Sequence, residues 1–441
     1  MSTPRPVTAL LGLSCAAMLL LAGCRGGDDT PPASTPPPGT VEGTSTPVPG
    51  EPGESPTPEA TTDTGELRDL MLSSLTATAT SAQMDRALAA LEVESFPLDV
   101  PGREVWFALS TGSGVYELPA AAHVAGIYDH RADGSWVETA RLVLESAPSV
   151  ASAEIVPIRG SSGFPIWIAV TGNTGAHSGT FELLRYNGTS LSTELWWFSP
   201  SPDAALITDL DADGMPEIVL NASDPYVFCY ACGVEDYAEV IYRWQDEQPT
   251  LVSIVDEPGE SETAFLNSRA VRLVEADLWR EALATIEAAR TAAPDDTVIM
   301  WNAIQIRRIA AVRLAQAGKP QQPLVTDVLA GEYGPALDLI RSLSPAEVFD
   351  ASGPLVSDTV AVGAQEAMGQ YLLDHATRAL AVSPEMHEAY AVRAVGQVLL
   401  RSDAWGEAIA DMDAAAALQP DEPFYQAAIE YLLVQNGGVR G

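Results

Sequence analysis

Lysine is almost absent from this sequence: Lys319 is the only one in 441 residues. Lysine and arginine together number 23, against 60 aspartate and glutamate residues, and the formal net charge is -37. Proteins bind phosphate backbones and anionic lipid head groups through clustered cations. The deficit therefore excludes nucleic acid as a partner, and it excludes a polybasic contact with a membrane surface. An acidic surface instead repels anions and offers carboxylates to divalent cations.

Histidine is also scarce, with five residues, and these form no His-Glu-x-x-His metal spacing. The sequence has no Gly-x-Ser-x-Gly nucleophile elbow and no Gly-x-x-x-x-Gly-Lys phosphate loop. These motifs carry hydrolytic and phosphate-binding chemistry. Their absence makes an enzyme of those classes the weaker expectation, although a Ser-His-Asp set that only folding assembles leaves no sequence motif.

The first residues have the three parts of an export signal. Arg5 precedes an apolar run over residues 7–22, and the run ends in Leu21-Ala22-Gly23-Cys24. A charged start, a short apolar stretch and a small-residue cleavage site indicate a cleaved signal rather than a spanning helix. An ordinary secretory signal with a chance cysteine is the alternative.

The Leu-Ala-Gly-Cys ending resembles the lipobox of bacterial lipoproteins. The resemblance implies that residues 1–23 are a lipoprotein signal peptide and that Cys24 carries the lipid, such as palmitate. We therefore expect an extracytoplasmic protein that is anchored to the membrane of the cell envelope through its N-terminal lipid.

Residues 24–64 are dense in proline, threonine, serine and glycine and contain little apolar surface to bury. Such a composition predicts a disordered, partly polyproline-like linker. Residues 65–99 then show apolar positions at helical spacing, which predicts short helices that pack on the next domain. These positions are Leu67, Leu70, Met71, Leu75, Met84, Leu88 and Leu91.

Strand patterns dominate residues 100–258, where one apolar run recurs three times. The copies are residues 104–109, 165–170 and 216–221, and each is followed by a second strand around Tyr128, Tyr186 or Tyr242. A recurrence at about 50 to 60 residues is typical of propeller blades or stacked β-meanders. Three units are too few for a typical closed propeller, so we expect a β-meander domain or part of a propeller-like ring. Generic strand–turn–strand alternation is the alternative.

Residues 262–436 are rich in alanine and leucine and read as helical. Residues 269–294 and 395–420 share a tryptophan-led helix start, small residues at matching positions and a closing proline. The small residues are Ala270, Ala282, Ala289, Gly396, Ala408 and Ala415, and the prolines are Pro294 and Pro420. The pattern resembles the tetratricopeptide repeat, a helix–turn–helix unit of about 34 residues. The resemblance implies an array of stacked helix pairs that binds a protein or peptide, with irregular pairs in its middle. The fold class is thus multidomain α+β, with strands first and helices second.

Alternating carboxylates occupy residues 208–217, Thr-Asp-Leu-Asp-Ala-Asp-Gly-Met-Pro-Glu. Hard oxygen ligands that converge in one loop suit calcium. Leu220 stands where an EF-hand needs its twelfth-position acid, so that interpretation fails. The loop resembles the shorter calcium loop of FG-GAP and VCBS repeats. The resemblance implies structural calcium held by the side chains of Asp209, Asp211, Asp213 and Glu217 and by the carbonyl of Met215. An acidic turn without metal is the alternative.

Cys229 and Cys232 are the two cysteines left after Cys15, in the signal, and Cys24. In an exported protein a close pair favours a disulfide. A redox centre and half of a metal site are the alternatives, but flanking carboxylates raise a thiol pKa and so oppose redox chemistry.

Taken together, these features favour a non-enzymatic scaffold lipoprotein with a calcium-stabilised β domain and a partner-binding helical array. The alternative is an envelope enzyme, either a thiol-disulfide oxidoreductase that uses Cys229 and Cys232 or a hydrolase that acts on polysaccharide. Trp196-Trp197-Phe198 would be the sugar platform of such a hydrolase, although an aromatic strand is more often core. A solute-binding protein is disfavoured, because its two lobes need alternating strands and helices.

Overall fold

The computed structural model describes residues 65–76, 91–111, 123–145, 150–158, 163–175, 177–401 and 403–437. The predicted signal peptide, Cys24 with its predicted lipid and the predicted linker over residues 24–64 lie outside the described residues. So does most of the second predicted helix, around Met84 and Leu88.

In the described residues, twelve strands form three four-stranded antiparallel sheets, each in simple meander order. The first sheet contains β1 (Glu92–Val100), β2 (Arg103–Thr111), β3 (Val124–His130) and β4 (Trp136–Val143). The second contains β5 (Val150–Ile155), β6 (Ile166–Gly175), β7 (Ser178–Tyr186) and β8 (Leu191–Ser199). The third contains β9 (Ala205–Thr208), β10 (Glu217–Asn221), β11 (Glu239–Gln245) and β12 (Gln248–Val252).

The three predicted copies of the apolar run occupy the same place in each of the three sheets. The three apolar runs become β2, β6 and β10, the second strand of each sheet, and the three tyrosine segments become β3, β7 and β11. The sequence-based boundary at residue 100 is wrong, however, because β1 starts at Glu92 within a segment assigned to helices. Phe96 and Leu98 of that strand pack into a core shared with β2, which outweighs the helical spacing of the residues before it.

The central residues of each of these second strands are apolar because both faces of the strand are buried there. On β6, Ile168 and Val170 pack against the first sheet, while Trp167 and Ala169 pack against the third. The three sheets therefore stack face to face. Trp106 of β2 faces α1 (Gly65–Thr76), which covers the outer face of the first sheet through Leu67 and Met71.

The stack is open rather than closed into a ring. Helices cover both of its ends, with α1 on the first sheet and the helical region on the third. A covered end has no apolar face left to pair with another sheet, which is the physical reason that the described strands form no closed propeller.

Helices make up the rest of the described chain. They are α2 (Glu262–Glu275), α3 (Trp279–Ala292), α4 (Thr297–Gln316), α5 (Pro323–Leu329), α6 (Tyr333–Arg341), α7 (Pro345–Val348), α8 (Pro354–Ser357), α9 (Gln365–Val382), α10 (His387–Leu400), α11 (Trp405–Leu418) and α12 (Pro423–Gln435). Most consecutive helices pack against each other, and the helices share one extended apolar core. The short helices α5 to α8 form the irregular middle that the sequence predicts. None of the helices in the described residues is both long and apolar enough for a bilayer crossing.

Local signals set the helix ends. The Ser261 side chain accepts from the Ala264 N–H at the start of α2, and Asp296 accepts from Val298 and Ile299 at the start of α4. Each bond satisfies an N–H that has no partner within the helix. Further along, α9 and α10 cross closely, because a Cβ on Gly396 would lie only 2.9 Å from the Gly369 carbonyl oxygen.

The third sheet and the helical region are joined directly. Trp301 and Ile304 of α4 bury against Val219 and Ile241 of the sheet. At the edge of this contact, Arg308 Nε lies 2.8 Å from Glu239 Oε2. The start of the helical array therefore packs against this chain's own β region.

The segment after β12 adds hydrogen bonds to the contact between the β region and the helices. Asn302 of α4 accepts from the Val255 N–H at 2.9 Å and donates to the Val255 carbonyl at 2.8 Å. Asn267 of α2 donates to the same carbonyl at 3.1 Å. The side-chain amides of Asn302 and Asn267 thus hold the Val255 backbone against α2 and α4.

Candidate functional site

The acidic loop connects β9 to β10 and is organised by its own backbone. Asp209 accepts from the Gly214 N–H at 2.9 Å, and Glu217 accepts from the Leu210 N–H at 2.8 Å. Gly214 has a φ of 87°, a conformation that glycine adopts without strain. These bonds fold the loop so that residues near its two ends face one another.

Three of the predicted ligands come together. Asp209, Asp211 and Glu217 each offer an oxygen atom, and these atoms all lie within 4.8 Å of one another. Glu217 is buried, and burial together with the neighbouring aspartates raises its pKa to about 7. Burial likewise raises the pKa of Asp211. Carboxylates that repel one another in a partly buried loop are the environment that a bound cation relieves.

The other two predicted ligands are Asp213 and Met215. The Asp213 side chain accepts from the Met215 N–H at 2.7 Å, and its carboxylate is not part of the three-residue group. Met215 packs its side chain against the core between the second and third sheets, and its carbonyl stays a predicted ligand. The side chains that bring their oxygen atoms together are Asp209, Asp211 and Glu217.

Cys229 and Cys232 are joined in a disulfide, with their Cα atoms 5.1 Å apart. The bond closes a single 3-10 turn in the long β10–β11 connection. Val227 and Val234, on either side of the bridge, are buried in the core of the helical region. The loop thus forms a second contact between the β region and the helices, and the bridge holds its two buried residues in place.

A buried ionic cluster, which the sequence analysis missed, lies beside this loop. Asp277, between α2 and α3, lies 3.0 Å from His375 Nδ1 and 2.9 Å from Arg378 Nη2. Burial alone would raise the pKa of Asp277. The contact with His375 and the charges of Arg378 and Arg313 instead hold that pKa below its usual range.

Arg313 of α4 connects the cluster to the disulfide loop. Its guanidinium contacts Asp236, donates from Nε to the Tyr237 carbonyl at 2.8 Å and stacks over Trp279 at 5.4 Å. His375 and Arg378 share one face of a helix, but no motif in the sequence pairs them with Asp277 or Asp236. Only folding brings α4, α9 and the disulfide loop together.

A groove of about 940 Å³ opens above this cluster. It lies between Asp236 of the disulfide loop and the exposed face of α9. The lining residues on α9 include Gln370, Tyr371, Asp374, His375 and Arg378. No residue of this groove was singled out as a site by sequence alone.

The aromatic run on β8 is split by the strand alternation. Trp197 points into the core and donates from Nε1 to the Asn221 carbonyl at 2.9 Å, whereas Trp196 and Phe198 are about half exposed on the other face. Trp197 therefore packs against the core, as expected of an aromatic strand, whereas Trp196 and Phe198 do not.

Comparisons with known proteins do not assign the chain. No protein-family model matches it, and no curated protein matches it. The chemistry of the described residues must therefore carry the functional argument.

Proposed function

We propose that this protein is a lipid-anchored extracytoplasmic scaffold whose tetratricopeptide-like helical region binds a protein or peptide partner. The observation that carries the proposal is the packing of the helix pairs. Ala270, Ala282 and Ala289 are fully buried where α2 and α3 meet their neighbours, as the repeat resemblance implies. Ala408 and Ala415 are equally buried in the last pairs, and Gly396 lies against Gly369.

The β region covers some of the helices and so limits the helical surface that a partner can reach. α4 is covered by the third sheet, and α2 and α4 hold Val255. The outer residues of α9 and α12 stay exposed, including Gln370 and Val434, the latter 73% exposed. The proposal therefore places the partner on the later helices of the array, α9 to α12.

Site-specific photocrosslinking in the producing cells tests this placement. A photoreactive residue at Gln370 or Val434 should give adducts with a distinct protein. The matched control is Leu251 on β12, which is 52% exposed but lies in the β region. Absence of adducts from both helical positions, or equal adducts from Leu251, would contradict partner binding by the late helices.

We further propose that the acidic loop binds a structural calcium ion. Carboxylates of Asp209, Asp211 and Glu217 would hold it, and the ion would supply charge neutralisation that fixes the β9–β10 connection. The support is the convergence of three hard oxygen donors on one loop.

Thermal unfolding with calcium and with chelator tests the calcium proposal. Calcium should raise one transition of the wild-type protein, because a ligand that binds only the folded state stabilises it. Asp211→Asn should abolish that rise, whereas Asp203→Asn, an exposed acid just before β9, should retain it. Asp213→Asn tests whether Asp213 also binds the ion. We expect this variant to retain most of the calcium-dependent rise in the unfolding transition. An unshifted wild-type transition at millimolar calcium would refute the proposal.

A further inference from the structure

The disulfide loop, residues 222–238 between β10 and β11, has a neck and a tip that are held in different ways. At the neck, the backbone N–H groups of Asp224 and Asp236 each donate to the other residue's carbonyl oxygen at 2.9 Å. Arg313 adds a hydrogen bond from its Nε to the Tyr237 carbonyl at 2.8 Å. The neck is therefore held by contacts that do not involve the Cys229–Cys232 bridge.

The tip of the loop, residues 227–234, packs on two other parts of the protein. Val227 and Val234 lie two residues outside the cysteines, one on each side, and both are buried in the core of the helical region. Tyr230, inside the bridged turn, contacts His177 of the β6–β7 connection, with the ring centroids 4.0 Å apart. The bridge lies between these contacts and limits the conformations that the tip can adopt when they open.

The two cysteines of the bridge differ in exposure. Cys229 is exposed, whereas Cys232 is 8% exposed. Thiol–disulfide exchange depends on which sulfur a thiolate can reach. Cys229 is therefore the sulfur that is open to attack, and Cys232 is the leaving group.

The bridge joins cysteines only three positions apart in the sequence. A disulfide that closes so short a loop adds the least stability through chain entropy. Because the neck has its own hydrogen bonds, loss of the bridge frees the tip and leaves the rest of the fold in place.

We infer that the Cys229–Cys232 bridge is a redox switch that sets how firmly the tip stays packed on the helical region. One thiolate of a dithiol reductant attacks the Cys229 sulfur, the Cys229–Cys232 bond breaks, and Cys232 leaves as a thiolate. The second thiol of the reductant then attacks the mixed disulfide and releases Cys229. The reductant becomes a disulfide and two electrons pass to the protein. Both cysteines take up protons at neutral pH, because a thiol pKa is about 8.5.

Reduction lowers the free energy that opens the tip, because the opened tip gains the conformations that the bridge forbids. Val227 and Val234 then leave the core more often, and the helical surface beneath them becomes accessible. In this reaction the bridge is the substrate of an external dithiol. The switch requires neither the proposed partner nor calcium.

Reduction of the native full chain, followed by hydrogen exchange, tests the inference. Millimolar dithiothreitol without denaturant should make Cys229 and Cys232 open to alkylation, as read by peptide mass spectrometry. Amides of residues 225–235 should then exchange at least about threefold faster, whereas amides of β7 and α11 should keep their rates.

Three results of this experiment would overturn the switch. The first is a bridge that resists reduction until denaturant is added. The second is unchanged exchange in the tip of the reduced protein. The third is equally faster exchange in α11, because the bridge would then stabilise the whole fold rather than the tip.

Two variants separate the bridge from the turn around it. Cys229→Ser/Cys232→Ser should show the fast tip exchange of the reduced protein and should not respond to dithiothreitol. The matched control is Ala231→Ser, which adds one hydroxyl to an exposed residue of the same turn and keeps the bridge. It should exchange at the wild-type rate until it is reduced. Tip exchange in oxidised Ala231→Ser as fast as in the double variant would assign the effect to the turn and overturn the switch.

Discussion

Asn302 offers the sharpest test of how the β region and the helices hold together. Its side chain is 1% exposed and makes three hydrogen bonds between segments that are far apart in sequence. It accepts from the Val255 N–H at 2.9 Å and donates to Val255 and Asn267 oxygens at 2.8 and 2.7 Å. Asn302→Ala removes all three bonds and shortens the side chain by one amide.

The expected cost follows from which groups lose their partners. The Val255 carbonyl keeps its bond from Asn267, but the Val255 N–H and the Asn267 oxygen each lose theirs. A buried polar group without a partner costs about 1 to 3 kcal/mol. Val255 is 40% exposed, so water can reach part of its backbone and the cost falls toward the lower end. We expect Asn302→Ala to lower the free energy of unfolding by about 2 kcal/mol.

Urea unfolding followed by far-UV circular dichroism and by tryptophan fluorescence measures this loss. The two probes report mainly on the helices and on the packed tryptophans, so a weakened joint should also separate their transitions. Asn267→Ala is the comparison variant, because it removes two bonds, one to the Val255 carbonyl and one from Asn302, rather than three, and should cost less. If Asn302→Ala lowered the free energy of unfolding by less than about 0.5 kcal/mol, the hydrogen bonds of Asn302 between the β region and the helices would not be a source of stability.

Three further predictions follow from single positions. Gly396→Ala should lower the free energy of unfolding by about 1 to 3 kcal/mol, because its Cβ would meet backbone atoms of α9 at 2.8 and 2.9 Å; Gly406→Ala, in open space on α11, should instead raise it by up to about 1 kcal/mol in the same urea assay. Burial raises the pKa of Asp327 to about 6, so its ionisation destabilises the fold as pH rises from about 4 through 6. Asp327→Asn should therefore stabilise the protein at pH 8 but not at pH 4. Equal effects of the substitution at both pH values would contradict this. Cys24→Ser should abolish incorporation of a clickable palmitate analogue in bacterial cells. Labelling that persists in this variant would show that the lipid is not attached to Cys24.

Much of the β region could be predicted from sequence because its pattern is local. The runs that became β2, β6 and β10 are mainly apolar, and each is followed by a tyrosine strand and turn residues. The first strand of the first sheet, β1, was not predicted, because the local pattern is misleading there. Its segment follows a stretch with helical spacing, and only pairing with β2 decides that Glu92 starts a strand.

The convergence of Asp209, Asp211 and Glu217 could be predicted because they lie within nine residues of one another in the sequence. The hydrogen bond from the Met215 N–H to Asp213 could not be predicted, since all the aspartates alternate alike and only the folded backbone decides which carboxylate turns toward that N–H. The Cys229–Cys232 pair was likewise visible, but the packing of Val227 and Val234 into the helical core was not. Which side chains a loop buries depends on the surface that it meets.

The sequence by itself determined the order of strands and helices, the positions of the three sheet units, the acidic loop and the expected lipobox at Cys24, because short-range periodicity and motif spacing carry those features. Only the tertiary structure decided that helices cover both ends of the sheet stack and that α2 and α4 hold Val255. It also decided that Asp277, Arg313 and His375 meet beneath a groove. These contacts join residues far apart in the chain, and their energy comes from burial and pairing, which no local pattern records.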